Sequence, residues 1–165
     1  MIKKRRRQGK TDYKARLNLL KSGKPRIIFR KTNRYITAGY INSKEAQDSV
    51  VIGSTSKELL KYGWPENREG SLKSLPACYL TGFLFGKKVI DKDFDKNAVF
   101  DIGLIRNIPK SRAYCFLKGV VDAGIKVRVE EKMFPEEKRL RGLHLKNVIS
   151  EIFDKIKENI EKKFV

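Results

Sequence analysis

Arg5, Arg6, Arg7, Lys10, Lys14, Arg16, Lys21, Lys24, Arg26, Arg30, Lys31 and Arg34 follow one another in the first 34 residues, interleaved with Tyr13, Phe29 and Tyr35. Guanidinium forks take phosphate oxygens in pairs, and flat rings stack on unpaired bases. The chemistry these types offer is recognition of a polyanion. The same 34 residues hold 14 Lys and Arg against a single acid, Asp12, and so carry +13 of the chain's +19. A merely solvated basic face does not account for that density, and self-repulsion keeps such an arm disordered until a partner neutralises it. Binding to an anionic membrane would need a helix with a wide apolar face, and the arm offers only Tyr13, Leu17 and Leu20. RNA is favoured over DNA because no helix-turn-helix, basic-zipper or zinc-finger pattern is present.

Catalytic chemistry has little to stand on. Gly82-x-x-x-Gly86-Lys87-Lys88 lacks the spacing of a phosphate loop and the hydroxyl after the lysine. Asp91-x-Asp93-x-Asp95 begins like a calcium loop, but Lys96 stands where glycine is required and Ile102 where glutamate is required. Asp101, near a strand end, and Asp122 are the carboxylates that a metal-dependent RNA-processing nuclease could use; shaping a turn and a helix end is the favoured reading for both. His144 has no Ser or Cys nucleophile motif near it and reads as a surface or nucleic-acid contact rather than a base. Cys78 and Cys115 form no CxxC, and with one histidine they cannot complete a zinc site; they read as buried free thiols of a reducing compartment. No cofactor or small-molecule substrate is implied.

The elements that must carry the arm follow from periodicity. The chain has 165 residues, enough for one domain with a real core. Thr11 is placed to cap a short helix that Gly23 ends. Residues 26–31, 35–41 and 49–53 read as three strands joined by short turns, an antiparallel meander. Thr55-x-x-Glu58 matches a capping box before a short helix ending near Gly63. Ser74-Leu75-Pro76 opens a helix to about Lys88, on which Cys78, Gly82 and Gly86 form a small-residue stripe for close approach. Residues 98–102 read as a buried strand, 111–123 as a helix ended by Gly124, and 125–129 as a half-buried strand, a parallel crossover. Leu145, Val148, Ile149, Ile152, Ile156 and Ile160 mark one face of a C-terminal helix. The expected fold is α/β, shading into α+β: a mixed sheet built from the meander and βαβ units, with helices packed on it. Residues 1–24 form the basic RNA-binding arm and short helix, and residues 25–165 a single globular domain with an amphipathic C-terminal helix. The first residues lack the apolar core of a secretory signal, and the longest nearly apolar run, 75–85, is too short to span a bilayer, so a soluble, intracellular protein is expected.

Read together, certain motifs resemble a known family. Arg5-Arg6-Arg7-Gln8-Gly9-Lys10-Thr11-Asp12-Tyr13, Arg16-Leu17-x-Leu19-Leu20-Lys21-Ser22-Gly23-Lys24-Pro25-Arg26 and Arg30-Lys31-Thr32-Asn33 open the series. Tyr62-Gly63-Trp64, Pro76-Ala77-Cys78-Tyr79-Leu80-Thr81-Gly82, Asp101-Ile102-Gly103-Leu104, Lys118-Gly119, Asp122-Ala123-Gly124 and Arg139-Leu140-Arg141-Gly142-x-His144 continue it in order. The pattern resembles the universal large-subunit ribosomal protein that binds 5S rRNA, the L-eighteen family, in its archaeal form. It departs from that family at Val127-Arg128-Val129, Cys78 and Phe85. The resemblance implies a mixed α/β fold in two or three layers, no enzyme activity and a place in the cytoplasm within the large ribosomal subunit. It also implies docking of 5S rRNA at the central protuberance, contact with 23S rRNA, and a second 5S-binding ribosomal protein among its large-subunit neighbours. Carried onto this chain, with the cations above, it makes Arg5, Arg6, Arg7, Gln8, Lys10, Thr11, Tyr13, Arg16, Lys21, Lys24, Arg26, Arg30, Lys31, Asn33, Arg34, Arg141 and His144 the expected RNA contacts.

Overall fold

The computed structural model describes residues 4–45, 47–92, 97–143 and 148–164. A single turn, α1 (Lys4–Arg7), precedes α2 (Tyr13–Lys21). The cap of α2 is Asp12 rather than Thr11: its Oδ1 accepts the N–H groups of Lys14 and Ala15, each at 3.0 Å. A carboxylate there satisfies two orphan donors and also meets the positive end of the helix. Gly23, at φ +63°, ends the helix in the left-handed conformation that a β-carbon disfavours.

The chain then enters β1 (Arg26–Lys31), β2 (Ile36–Lys44) and β3 (Gln47–Thr55), the expected antiparallel meander, with Ile27 opposite Tyr40 and Tyr40 opposite Ile52. The Thr55–Glu58 capping box is present, but it opens a 3-10 turn, Ser56–Tyr62, rather than an α-helix. Ser74 caps α3 (Leu75–Asp91), which returns the chain to β4 (Asn97–Asp101), parallel to β1. Helix α4 (Arg112–Asp122) crosses over to β5 (Lys126–Val127), parallel to β4. The sheet order is β3-β2-β1-β4-β5.

The last strand is shorter than its alternating pattern suggests. After Val127 the chain leaves the sheet for a 3-10 turn at Glu131–Met133, and the Met133 carbonyl accepts the Lys110 N–H at 2.9 Å instead of a ladder donor. A short helix, α5 (Glu137–Leu140), and a long one, α6 (Val148–Lys163), complete the chain.

The main core lies between one face of the sheet and α3 with α4. Phe29 of β1 meets Phe116 of α4 with ring centroids 5.3 Å apart, and Phe85 meets the same ring at 6.0 Å. The small-residue stripe serves the helix pair: a β-carbon on Gly82 would stand 2.0 Å from the Phe116 carbonyl oxygen, and one on Gly119 2.2 Å from that of Tyr79. Helix α6 lays Phe153, Ile156 and Ile160 against this layer. Phe153 is absent from the face read from sequence, while Ile152 on that face is only partly buried and Leu145 lies outside the described residues. Cys78 and Cys115 are buried and unbridged, as expected. Among the described residues no helix is long and apolar enough to cross a membrane.

Candidate nucleic-acid interface

Alternation along β1 sends Ile27 and Phe29 into the core and leaves Arg26, Ile28 and Arg30 on the opposite face. The turn through Gly23 and Pro25 is short, so α2 runs back along β1 over that second face. Between helix and sheet is an open groove of about 880 Å³. The arm lines it with Lys10, Thr11, Arg16 and Leu19, the sheet with Arg26, Ile28, Arg30 and Lys31 of β1, Asp48 of β3 and Asp101 of β4, and the far wall is residues 103–105.

The floor is an ion-pair network. Asp48 accepts Arg26 at 2.6 Å, Arg16 at 2.9 Å and the Ser43 hydroxyl at 2.8 Å. Asp101 accepts Arg26 at 3.4 Å, Arg30 at 3.3 Å and the Gly103 N–H at 2.7 Å. Burial alone would push the Asp48 carboxyl up; hydrogen bonds from Ser43 and Arg26 and the charges of Arg26 and Arg16 outweigh it and hold the group below its usual value. Gly103 sits at φ +64°, and a β-carbon there would come within 2.9 Å of the Arg30 guanidinium. Glycine suits the turn because it adopts this left-handed backbone without strain and leaves room for the arginine.

The residues expected to meet RNA divide into groups. Arg5, Arg6 and Arg7 lie in α1, with Arg7 exposed. Gln8, Lys10, Lys14, Lys21 and Lys24 are exposed along the arm, and Thr11 and Tyr13 are half-buried. Arg16 is half-buried and tied to Asp48. Lys31, Asn33 and Arg34 are exposed at the β1–β2 turn, which Lys73 braces by donating to the Asn33 carbonyl at 2.7 Å. Arg30 is 42% exposed on its side chain, so it faces the groove while pairing with Asp101.

Two readings change. Arg26, expected on the RNA surface, is 4% exposed, and its guanidinium is occupied by Asp48, Ser43 and Asp101. Phe29, one of the flat side chains interleaved with the cations, is 1% exposed and belongs to the core. Arg141 stands apart from the arm: it follows α5, which packs on α3 across the sheet, and it pairs with Glu137 and Asp154. His144 lies outside the described residues. Sequence reasoning missed Asp48 and the exposed apolar pair Leu104 and Ile105 at the groove wall.

The two acids weighed for metal-dependent cleavage do not converge. Asp101 ends β4, whereas Asp122 ends α4, just before β5 begins beside Asn97 at the other end of β4. Asp122 accepts the Tyr79 hydroxyl at 2.8 Å and pairs with Lys118 at 2.9 Å. No group of three or more His, Cys, Asp or Glu able to hold a metal occurs among the described residues. The half-motif at Gly82 and Gly86 lies inside α3, against α4, not between a strand and a helix.

The chain is similar in sequence to known proteins. Residues 1–97 match the family described as ribosomal large subunit proteins 60S L5 and 50S L18. The chain is 45% identical over 163 residues to the large ribosomal subunit protein uL18 of Korarchaeum cryptofilum, covering 98% of this chain and 79% of that one. It is 42% identical over 158 residues to uL18 of Methanoculleus marisnigri, covering 96% and 87% of the two chains. With uL18 of Methanococcoides burtonii the identity is 39% over 166 residues, covering 98% and 93%. A basic arm folded over a mixed sheet, a match through the whole arm and meander, and similarity to archaeal relatives over nearly all of this chain converge: the chain belongs to the large-subunit ribosomal protein family of 60S L5 and 50S L18.

Proposed function

We propose that the protein is a structural, non-enzymatic component of the large ribosomal subunit that binds 5S rRNA and helps dock it onto 23S rRNA at the central protuberance. In this reading residues 1–24 are the RNA-binding arm, and the groove between α2 and the sheet belongs to the contact surface. The exposed cations of the arm and of the β1–β2 turn neutralise phosphates, while Tyr13 offers a ring to an unpaired base. Arg26 has a different task, holding the floor through its carboxylates. Other large-subunit proteins, a second 5S-binding protein among them, are its neighbours, and the cytoplasmic ribosome is its location.

The observation that carries the reading is the separation of charge: +13 in the first 34 residues and +6 in the other 131, with the arm's cations largely exposed. Family membership supports the ribosomal setting. The test is to purify the tagged protein from its host after dissociating the subunit and sequence the RNA that stays bound. Enrichment of 5S rRNA over other small RNAs is the expected result. Recovery without 5S rRNA, or with bulk RNA in proportion to its abundance, overturns the reading.

A further inference from the structure

A face that binds phosphates has no electrostatic use for acids, yet Asp48 and Asp101 stand on the sheet directly beneath α2. What they hold explains their presence. Helix α2 is nine residues long, buries no side chain fully, and leaves Leu17 53% exposed. A helix so short is marginal alone, and one with so little apolar contact is weakly anchored by packing. The Arg16–Asp48 pair at 2.9 Å ties it across the groove to the β2–β3 hairpin. Asp48 is itself fixed by Arg26 and by Ser43, and Arg26 is fixed from its other side by Asp101. Asp101 in turn holds the groove's far wall through the Gly103 N–H. One buried arginine and two carboxylates thus link both walls of the groove.

We propose that Asp48 is a positioning residue for rRNA recognition: by holding Arg16 it sets α2 at a fixed span above the sheet, so that the arm fits one RNA surface rather than any polyanion. The inference rests on the reading that the arm binds 5S rRNA. It makes a prediction opposite in sign to simple charge counting. Removing one negative charge from a cationic face strengthens its attraction to every polyanion. Loss of a positioning contact weakens binding to the one RNA that needs the geometry.

The experiment compares full-length wild type, Asp48→Asn and Asp48→Glu. Each is measured for affinity to 5S rRNA at fixed salt, for the salt needed to elute it from heparin, and for melting temperature. Asp48→Asn is expected to bind 5S rRNA about ten-fold more weakly, in the range that coupling residues reach. The same variant is expected to elute from heparin at higher salt, and Asp48→Glu to recover most of the 5S affinity. A 5S affinity of Asp48→Asn equal to or above that of wild type overturns the proposal. So does a fall in melting temperature with no change in 5S binding relative to heparin binding, which is what a merely structural role would give. If Asp48→Asn does not fold, Ser43→Ala replaces it: this removes a hydroxyl that holds Asp48 but no charge, and a several-fold loss of 5S affinity is expected against none if Asp48 does not position the arm. A wild type with no preference for 5S rRNA over transfer RNA overturns the functional reading beneath the proposal, an outcome distinct from failure of the variants alone.

Discussion

Replacing Gly82 with alanine tests the helix pair that backs the groove-bearing sheet. The added β-carbon would stand 2.0 Å from the Phe116 carbonyl oxygen and 2.9 Å from its carbonyl carbon, where ordinary contact begins at 3.4 Å. The obstacle is backbone, so no rotamer change relieves it, and α3 and α4 must separate. Separation loosens the rings of Phe29, Phe85 and Phe116 together. Overpacking of this kind costs about 1–3 kcal/mol or more, and alanine returns about 1 kcal/mol of helix propensity at most. A backbone obstacle at 2.0 Å puts the cost at the upper end, so the net is a loss of about 2 kcal/mol, which for a chain of this size lowers the melting temperature by about 4–8 °C. Gly53→Ala is the control, because a β-carbon there meets nothing within 4 Å. Thermal unfolding followed by circular dichroism reads both. A Gly82→Ala protein that melts with the Gly53→Ala control refutes the close-approach argument.

Other outcomes follow from the same structure. Asp101→Asn keeps an acceptor for the Gly103 N–H but removes the charge facing Arg26 and Arg30; breaking a buried pair costs about 3–5 kcal/mol, and because Asp48 still serves Arg26 and Arg30 is partly solvated, about 2 kcal/mol is expected in denaturant titration. Neither wild type nor Asp101→Asn is expected to cut 5S rRNA with magnesium or manganese; gel-resolved cleavage by wild type that the mutation abolishes would restore the nuclease reading. Burial pushes the Cys78 thiol well up and that of Cys115 to about 12, so neither should react with Ellman's reagent at neutral pH until the protein unfolds, whereupon both should. For Glu58, burial would raise the carboxyl, but hydrogen bonds from Lys88 and Thr55 and the Lys88 charge outweigh it and hold it below its usual value. Its contribution is complete above the unfolded-state value and is lost as pH falls through the lower folded value, so wild type should lose stability below about pH 5 and Glu58→Gln should lose less.

The parts of this fold that were legible in the sequence are those set by local spacing. The limits of β1, the meander, the Thr55–Glu58 box and the Ser74 start of α3 all follow from neighbours a few residues apart. The glycine stripe announced a close approach but not its partner, since α4 lies more than thirty residues on. The floor of the groove was hidden for the same reason. Arg26 meets Asp48 across 22 residues and Asp101 across 75, and nothing near Arg26 distinguishes it from the exposed cations around it except its place on the buried stretch of β1. For Asp101 the expected turn is present, as the Gly103 N–H contact, while its two arginines come from another strand. The run from Ile125 to Val129 alternates well enough for a strand, yet an edge position gave it one neighbour, and the chain leaves after Val127. In α6 the isoleucine stripe drew attention from Phe153, whose larger ring fills the gap beside Tyr79 at 5.3 Å.

The salt dependence of 5S rRNA binding shows whether the arm meets the RNA backbone. If the arm neutralises phosphates, log affinity falls linearly with log salt, with a slope of about 0.7–0.9 for each phosphate neutralised. Deleting residues 1–10 removes six cations, Lys3, Lys4, Arg5, Arg6, Arg7 and Lys10. The truncated protein is expected to bind 5S rRNA more weakly, with a slope flatter by several units. An unchanged slope, with affinity intact, would contradict it.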